Sequence, residues 1–371
     1  MAADATRYHR LQLILGLLGL GVTATFFAVI LLVGLGPAVA HWASNVSGAL
    51  AWRVAAVAAA VAVGQGLVTF PLAWLRGYWL PRRYGLLHQT FSGWLGDRLK
   101  AALIGGVLGL AAVEIVYAVM ATTPLWWLAA SGVLIALQIV VAFVFPVWVL
   151  PVFYRLTPLA DEPLRQQALD LASKAGISVV GVWVADQSRK SRTANAALAG
   201  IGRSRRVILF DTLIARFAPA EVGSVLAHEL GHHVHHDVWR MLAVQTVLTV
   251  LALGVSDVLL RAGADWWGWQ ASWDPAGLPW LVVVVSVLGL LTAPLVNGLS
   301  RHVERQADDF ALDLTGDAPA FVGAMERLAD LNLAERRPHR LKELLFYSHP
   351  SIERRIMRAR EPRARWSSSQ A

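Results

Sequence analysis

His228-Glu229-Leu230-Gly231-His232 is the stretch on which the reading of this chain turns. It lies in a segment, from about Pro219 to about Val238, that reads as helix. Residues i and i+4 share a helix face, so the two imidazoles can reach one zinc ion. Glu229 lies beside them as candidate general base. So short a pattern can arise by chance, and a third ligand is needed. Ser300 to Asp308 (SRHVERQAD) follows a long apolar run and also reads as helix. Arg301, Glu304 and Asp308 share a face by the i, i+3, i+7 rule. Taken alone, Glu304 and Arg301 would read as a solvated surface pair. Beside the upstream motif, Glu304 is expected to be the third ligand with His228 and His232, leaving a fourth position for water. That makes one Zn2+ per chain in a common catalytic arrangement.

With those residues in view the chain resembles the membrane zinc metallopeptidases that include type I CAAX prenyl protease and the heat-shock protease HtpX. Four segments carry the resemblance: Asn195 to Ile214 (NAALAGIGRSRRVILFDTLI), His228 to Asp237 (HELGHHVHHD), Ser300 to Asp308, and Ser348 to Arg354 (SHPSIER). They stand in family order after residue 190. The apolar N-terminal part holds four spans rather than two, which is closer to the CAAX branch. The resemblance implies a gluzincin fold and peptide hydrolysis.

Composition agrees with a bilayer protein. Hydrophobic residues make up 56% and charged residues 16%, against about 25% charged in a soluble domain. Mean hydropathy is +0.51. With no cysteine, disulfides and thiolate metal sites are excluded. The net charge of +8 and pI near 10.3 are not read as nucleic-acid binding. No such motif is present, and the basic residues cluster beside apolar spans, as the positive-inside rule requires. The composition, rich in Ala, Gly, Arg and Trp and without a CAAX end, reads as bacterial.

The fold class expected is mainly α: a polytopic membrane protein of about six transmembrane helices with a small cytoplasmic α+β metalloprotease part. A charge-free run of about 20 residues can cross the hydrocarbon core. Leu11 to about Gly36, Val54 to Leu75, Ala101 to Ala121 (with Glu114 inside) and Trp126 to Leu150 form an N-terminal membrane region, 1–155. The first reads as a retained helix, not a cleaved signal. Residues 156–371 form the metallopeptidase domain, with spans five (241–260) and six (280–299) and a basic tail. Span five begins just after the metal motif, so the motif helix is read as running into the membrane. Arg7, Arg10, Arg76, Arg82, Arg83, Arg98, Lys100, Arg155, Arg240 and Arg301 fall on one side. The opposite loops are rich in Trp, with Arg53 and Arg261 as exceptions. This asymmetry puts both termini and the active site in the cytoplasm of a multi-pass cell-membrane protein. Between the spans, Thr157 to Arg216 reads as a soluble insertion. Pro163 to Ala175 is helical there, and Ile177 to Val184, Thr193 to Leu198 and Arg205 to Phe210 are strands. Gly200 and Gly202 make a turn. The tail from Arg354 to Arg365 carries six arginines and ends in a Ser-rich, disordered segment.

Peptide hydrolysis needs a nucleophile, a base and oxyanion stabilisation. Zinc supplies the first by lowering the pKa of its water to about 7, and Glu229 the second. Asp308, one turn past Glu304, is expected to fix a ligand histidine through its outer nitrogen, the alternative being an ordinary N–H or Arg partner. The resemblance puts His349, in Ser348-His349-Pro350, near the substrate carbonyl; imidazole is a suitable oxyanion donor. The resemblance also makes Asn195 part of a strand edge that pairs with substrate backbone, a mode tolerant of sequence. The plainer readings are a histidine at a helix start and a turn asparagine. His233, His235 and His236 read as solvated histidines rather than a second metal site. Asp237 receives no role. Glu114 reads equally as cavity lining or bundle packing, and Arg355 as a site residue or a surface charge.

The expected function is therefore a membrane-embedded zinc endopeptidase acting at the cytoplasmic face, in CAAX-type processing or membrane-protein quality control. Its partners are a peptide or membrane-protein substrate and the lipid bilayer, with no nucleic acid; oligomeric state stays open. Two alternatives differ in class. One is a transporter or scaffold that keeps the fold without catalysis. The other is an intramembrane-cleaving protease, disfavoured because the motif lies among His and Asp residues before the span.

Overall fold

The computed structural model describes residues 2–200, 202 and 205–361. Apolar length sets its framework. The N-terminal part comprises α1 (Ala2–Leu32), α2 (Leu35–Val46), α3 (Leu50–Trp74), α4 (Leu80–Arg83), α5 (Phe91–Met120), α6 (Trp126–Val144) and α7 (Leu150–Phe153). Long uncharged helices must meet lipid on most of their surface, and α1, α3 and α5 expose Leu17, Leu18, Leu67 and Leu103 accordingly. Four helical stretches here are long and apolar enough to cross a membrane, and two more follow later, six among the described residues. Val54 to Leu75, 241–260 and 280–299 fall within them, while the runs to Gly36, Ala121 and Leu150 overshoot ends at Leu32, Met120 and Val144. The first is cut short: Gly34, at φ 67°, takes a left-handed turn that few other residues tolerate, and the short α2 begins after it. Proline shapes two more ends. Pro71 lies inside α3, which then widens into a π turn at Leu75–Trp79. A second π turn spans Phe145–Val149, with Pro146 in it.

The soluble insertion comprises β1 (Leu156–Pro158), α8 (Glu162–Lys174), β2 (Val182–Ala185), β3 (Ala196–Ala199) and β4 (Arg206–Phe210). Asp161 caps α8, its carboxylate accepting from the Leu164 amide at 3.0 Å. The sheet order is β1-β2-β4-β3; β2 and β4 are parallel, the outer pairs antiparallel. β3 is thus an edge. Two expectations are corrected in extent, and one strand is new. The run from Ile177 is strand only from Val182, the Thr193 run only from Ala196, and β1 was not foreseen. Of the turn after β3, Gly202 is described, but Ile201, Arg203 and Ser204 lie outside the described residues, as does the Ser-rich tail.

The chain continues through α9 (Asp211–Arg216), α10 (Pro219–Val234), α11 (Asp237–Trp267), α12 (Leu278–Thr315), α13 (Ala318–Leu331), α14 (Arg340–Phe346) and α15 (Ile352–Arg360). The motif helix α10 is not continuous with the span that follows it, contrary to the sequence reading. It ends at Val234, and His236 turns the chain at φ 56° before α11 begins. α12 does the reverse. It runs unbroken for 38 residues, from an apolar span out to Glu304 and Asp308. Two cores result. One, around Leu213, Leu226, Leu230, Phe321 and Met325, joins the sheet to α10, α12 and α13. The other, around Val54, Tyr117, Trp126 and Leu260, lies among the spans.

Candidate active site

α10 carries His228, Glu229 and His232; α12 carries Glu304 and Asp308. The two helices approach closely because position 231 has no side chain. A Cβ on Gly231 would lie 3.1 Å from the Ala307 Cα and 3.2 Å from the Phe310 ring. That contact brings the carboxylate of Glu304 between the imidazoles. Its Oε2 is 3.3 Å from His228 Nε2, and its Oε1 is 3.7 Å from His232 Nε2.

These distances test the metal reading. With bonds of about 2.0–2.2 Å to nitrogen and oxygen, the edge of a tetrahedral zinc site is roughly 3.3–3.6 Å. The donor atoms of His228, His232 and Glu304 all lie within 4.8 Å of one another, and this is the one such group found among the described residues. Glu304 is buried, and its Oε2 has no hydrogen-bond partner. A buried carboxylate oxygen without a donor is costly unless a cation faces it. The residues therefore fit a metal held by two nitrogens and a carboxylate.

Each histidine is oriented from behind. His228 Nδ1 lies 2.9 Å from Asp308 Oδ1, and His232 Nδ1 lies 2.9 Å from Asp237 Oδ2. Both bonds leave Nε2 aimed at the site. Asp308 does both things the sequence allowed it. It also accepts from Arg355, Nε to Oδ2 at 2.9 Å and Nη2 to Oδ1 at 2.6 Å. Arg355 is buried rather than a surface charge, and its Nη2 reaches 3.4 Å from His228 Nδ1. Asp237, left without a role by sequence, is the matching carboxylate for His232.

Arg301 is not in a solvated pair with Glu304. It is buried, and its Nη1 donates to the carbonyls of Glu343 (3.0 Å) and Tyr347 (2.6 Å). It thereby ties the end of α14 to α12, two residues before His349. His349 is exposed, with Nε2 3.1 Å from Glu304 Oε1 and Nδ1 2.9 Å from Ser348 Oγ.

A cavity of about 360 Å³ gathers these groups; Glu229, His228, His349, Arg355 and Asn195 all line it. Burial raises the Glu229 carboxyl above the ordinary value, while His228 and His232 pull it down. Asn195 precedes β3 instead of lying in it. Its carbonyl accepts from the Phe210 amide at 3.2 Å, and its exposed side chain accepts from the Ala196 amide at 2.9 Å. Alternation then turns the amides and carbonyls of Ala194, Ala196 and Leu198 away from β4. Asn332 bonds both main-chain groups of Ala194, at 3.0 and 3.3 Å. His233 lies 3.2 Å from the Leu198 carbonyl, so it is spent on the sheet edge rather than solvated. Glu114 lines neither this cavity nor the larger one beyond it.

Comparison with known proteins follows the same division of the chain. Residues 158–363 match the model of peptidase family M48. Residues 2–155 match the CAAX prenyl protease N-terminal model, described as five membrane helices. A Bacillus subtilis protein named as an uncharacterized metalloprotease, YhfN, is 28% identical over 96% of this chain and 85% of its own length. CAAX prenyl protease 1 of Saccharomyces cerevisiae is 26% identical over 78% of this chain and 68% of its own. The crystal structure of Saccharomyces mikatae Ste24p shares the fold, with a TM-score of 0.88 over 97% of this chain and 89% of that one, at 22% identity.

Proposed function

The chain belongs to peptidase family M48 and is a multi-span membrane metallopeptidase; we propose that it is a zinc endopeptidase working at the cytoplasmic face. The observation that carries the reading is the donor set of His228, His232 and Glu304, spaced for a tetrahedral site around an otherwise unpartnered Glu304 oxygen. A bound zinc would lower the pKa of its water to about 7 and polarise the scissile carbonyl.

The remaining steps belong to the protein's own side chains. Glu229 takes the proton of the attacking water and later delivers it to the leaving amine. His349 donates to the oxyanion as the carbonyl becomes tetrahedral. Asp308 and Asp237 hold the two ligand histidines in one tautomer. Peptide adds to the outer edge of β3 beside Asn195 by displacing side chains that now bond it, so recognition is mainly through main chain. The loop asymmetry of Lys and Arg supports a cytoplasmic site. Relatives named CAAX prenyl protease 1 support processing of lipid-tethered proteins as one substrate class, and membrane-protein quality control is the other.

The test is proteolysis by the purified protein with and without chelator. Activity is expected to vanish on chelation and return with zinc. Glu229→Gln is expected to keep the metal and to lower turnover about 10²-fold or more. Metal-independent cleavage, or unchanged turnover in Glu229→Gln, would sink the assignment, and no cleavage with or without metal would favour a non-catalytic scaffold. Membrane proteomes of cells carrying the native protein or Glu229→Gln would then identify the substrates.

A further inference from the structure

α14 is amphipathic in the reverse sense for a helix in water. Its one buried residue is an acid, Glu343, while Leu341, Leu344 and Leu345 are 61%, 51% and 39% exposed. These three are related by i, i+3 and i+4, so they form one face. The other faces are occupied. Lys342 and Phe346, also four apart, line a cavity of about 1070 Å³ beside α1 and α3. Glu343 turns away from both sets, and its Oε1 accepts from the Ser351 amide at 3.2 Å.

What the leucine face meets follows from where α14 is fastened. Asn297 Nδ2 donates to the Leu345 carbonyl at 2.8 Å. Asn297 stands near the end of the apolar run 280–299 of α12. On the same helix Leu291 and Leu295 are 71% and 65% exposed, as side chains covered by lipid are. Leu295 is two residues before Asn297, about 3 Å along the helix axis. Leu345 is therefore tied to α12 at nearly the depth of a lipid-facing leucine. Apolar side chains there gain by entering the boundary between headgroups and acyl chains, whereas in water they would form an uncovered patch.

We propose that the Leu341, Leu344 and Leu345 face of α14 is seated in the lipid leaflet on the active-site side of the bilayer, and that this seat sets the position of His349. The second half rests on the reading of the cleft as a peptidase site. Continuity with the lipid-facing surface of α12 favours lipid over a second copy or a soluble partner, either of which would have to enter the boundary region to reach Leu345. α14 leads directly into Tyr347, Ser348 and His349. Arg301 holds the Tyr347 carbonyl at 2.6 Å, and Glu343 holds the Ser351 amide, so helix and loop move as one piece. Lifting α14 out of the leaflet displaces His349 Nε2, which lies 3.1 Å from Glu304 Oε1. An oxyanion donor tolerates little displacement.

The chain has no cysteine, so a nitroxide label can be placed at one chosen position. Leu344→Cys, Leu295→Cys and Val180→Cys are labelled in the full-length protein in phosphatidylcholine nanodiscs. Accessibility to oxygen is compared with accessibility to a water-soluble nickel chelate. Val180, exposed on the sheet part, is the water reference. The oxygen-to-nickel ratio at 344 is expected to exceed that at 180 and to approach that at 295. A ratio equal to that at 180 overturns the lipid seat. A label that neither reagent reaches, broadened by a second label, gives the face to a second copy and overturns it too. Kinetics on one peptide test the link to His349. Leu344→Glu is expected to lower kcat about tenfold or more, with KM and zinc content unchanged, and Leu344→Met to match the native protein. A native kcat in Leu344→Glu overturns the link, as does loss of zinc, which would make the face structural. The two readings fail separately. A native protein that does not cleave defeats the peptidase reading while the label still decides the lipid seat; cleavage with a water-like label at 344 defeats the seat alone.

Discussion

Asp308→Ala removes one carboxylate with two dependants, and the structure separates their energies. Asp308 is 1% exposed and Arg355 is 8% exposed, joined by bonds of 2.9 and 2.6 Å. Removing one partner of such a pair strands a buried charge, which costs about 3–5 kcal/mol. For a domain of this size that corresponds to a melting midpoint lower by on the order of 10 °C. The second loss is orientation. His228 Nδ1 gives up its partner at 2.9 Å, and metal affinity is expected to fall about 10- to 100-fold. A double variant, Asp308→Ala with Arg355→Met, removes the stranded charge but not the loss of orientation. It is therefore expected to recover most of the midpoint while metal affinity stays low. The assays are thermal melting in detergent and zinc titration against a competing chelator. If the double variant regained metal affinity as well, Asp308 would be only the counter-ion of Arg355. If Asp308→Ala melted like the parent, the ion pair would carry no stability.

Other expectations concern binding, packing and topology. Asn195→Ala is expected mostly to raise KM and His349→Ala mostly to lower kcat on one peptide, both with full metal; loss of metal in His349→Ala would make it structural. Gly231→Ala puts a Cβ 3.1 Å from the Ala307 Cα, so α10 must move off α12. About 1–3 kcal/mol of stability and part of the metal affinity should go with it; a fully stable, fully metallated variant would show that the helices have slack. Reporter fusions after Leu150 should read cytoplasmic and those near Gly263 exterior, and the reverse pattern would place the active site outside the cell.

The parts of this structure legible in the sequence are those set by local period or by length. His228 and His232 announce themselves because one helix face suffices to relate neighbours, and Glu304, on another helix, is legible only beside that motif. The six spans follow from uncharged length alone. Asp237 was not legible for a conformational reason. Five residues past His232, a continuous helix would carry it off that face, and the left-handed turn at His236 brings it back. Arg355 was ambiguous because its partner lies 47 residues away on another helix. β1 is only Leu156–Pro158 and is a strand through its pairing with Trp183–Ala185. The Ala-rich β3 has little intrinsic preference for strand, so its start was read three residues early. The break between α10 and α11 was missed for want of Gly or Pro at His236.

The central claim is that the metal is held by residues from both helices. Zinc per chain, measured after gel filtration of the native protein and of Glu304→Ala, tests it most directly. One equivalent is predicted for the native protein, and less than a tenth of that for the variant, with proteolysis lost in parallel. Stoichiometric zinc in Glu304→Ala, or a native protein that cleaves peptide without zinc, would contradict the account.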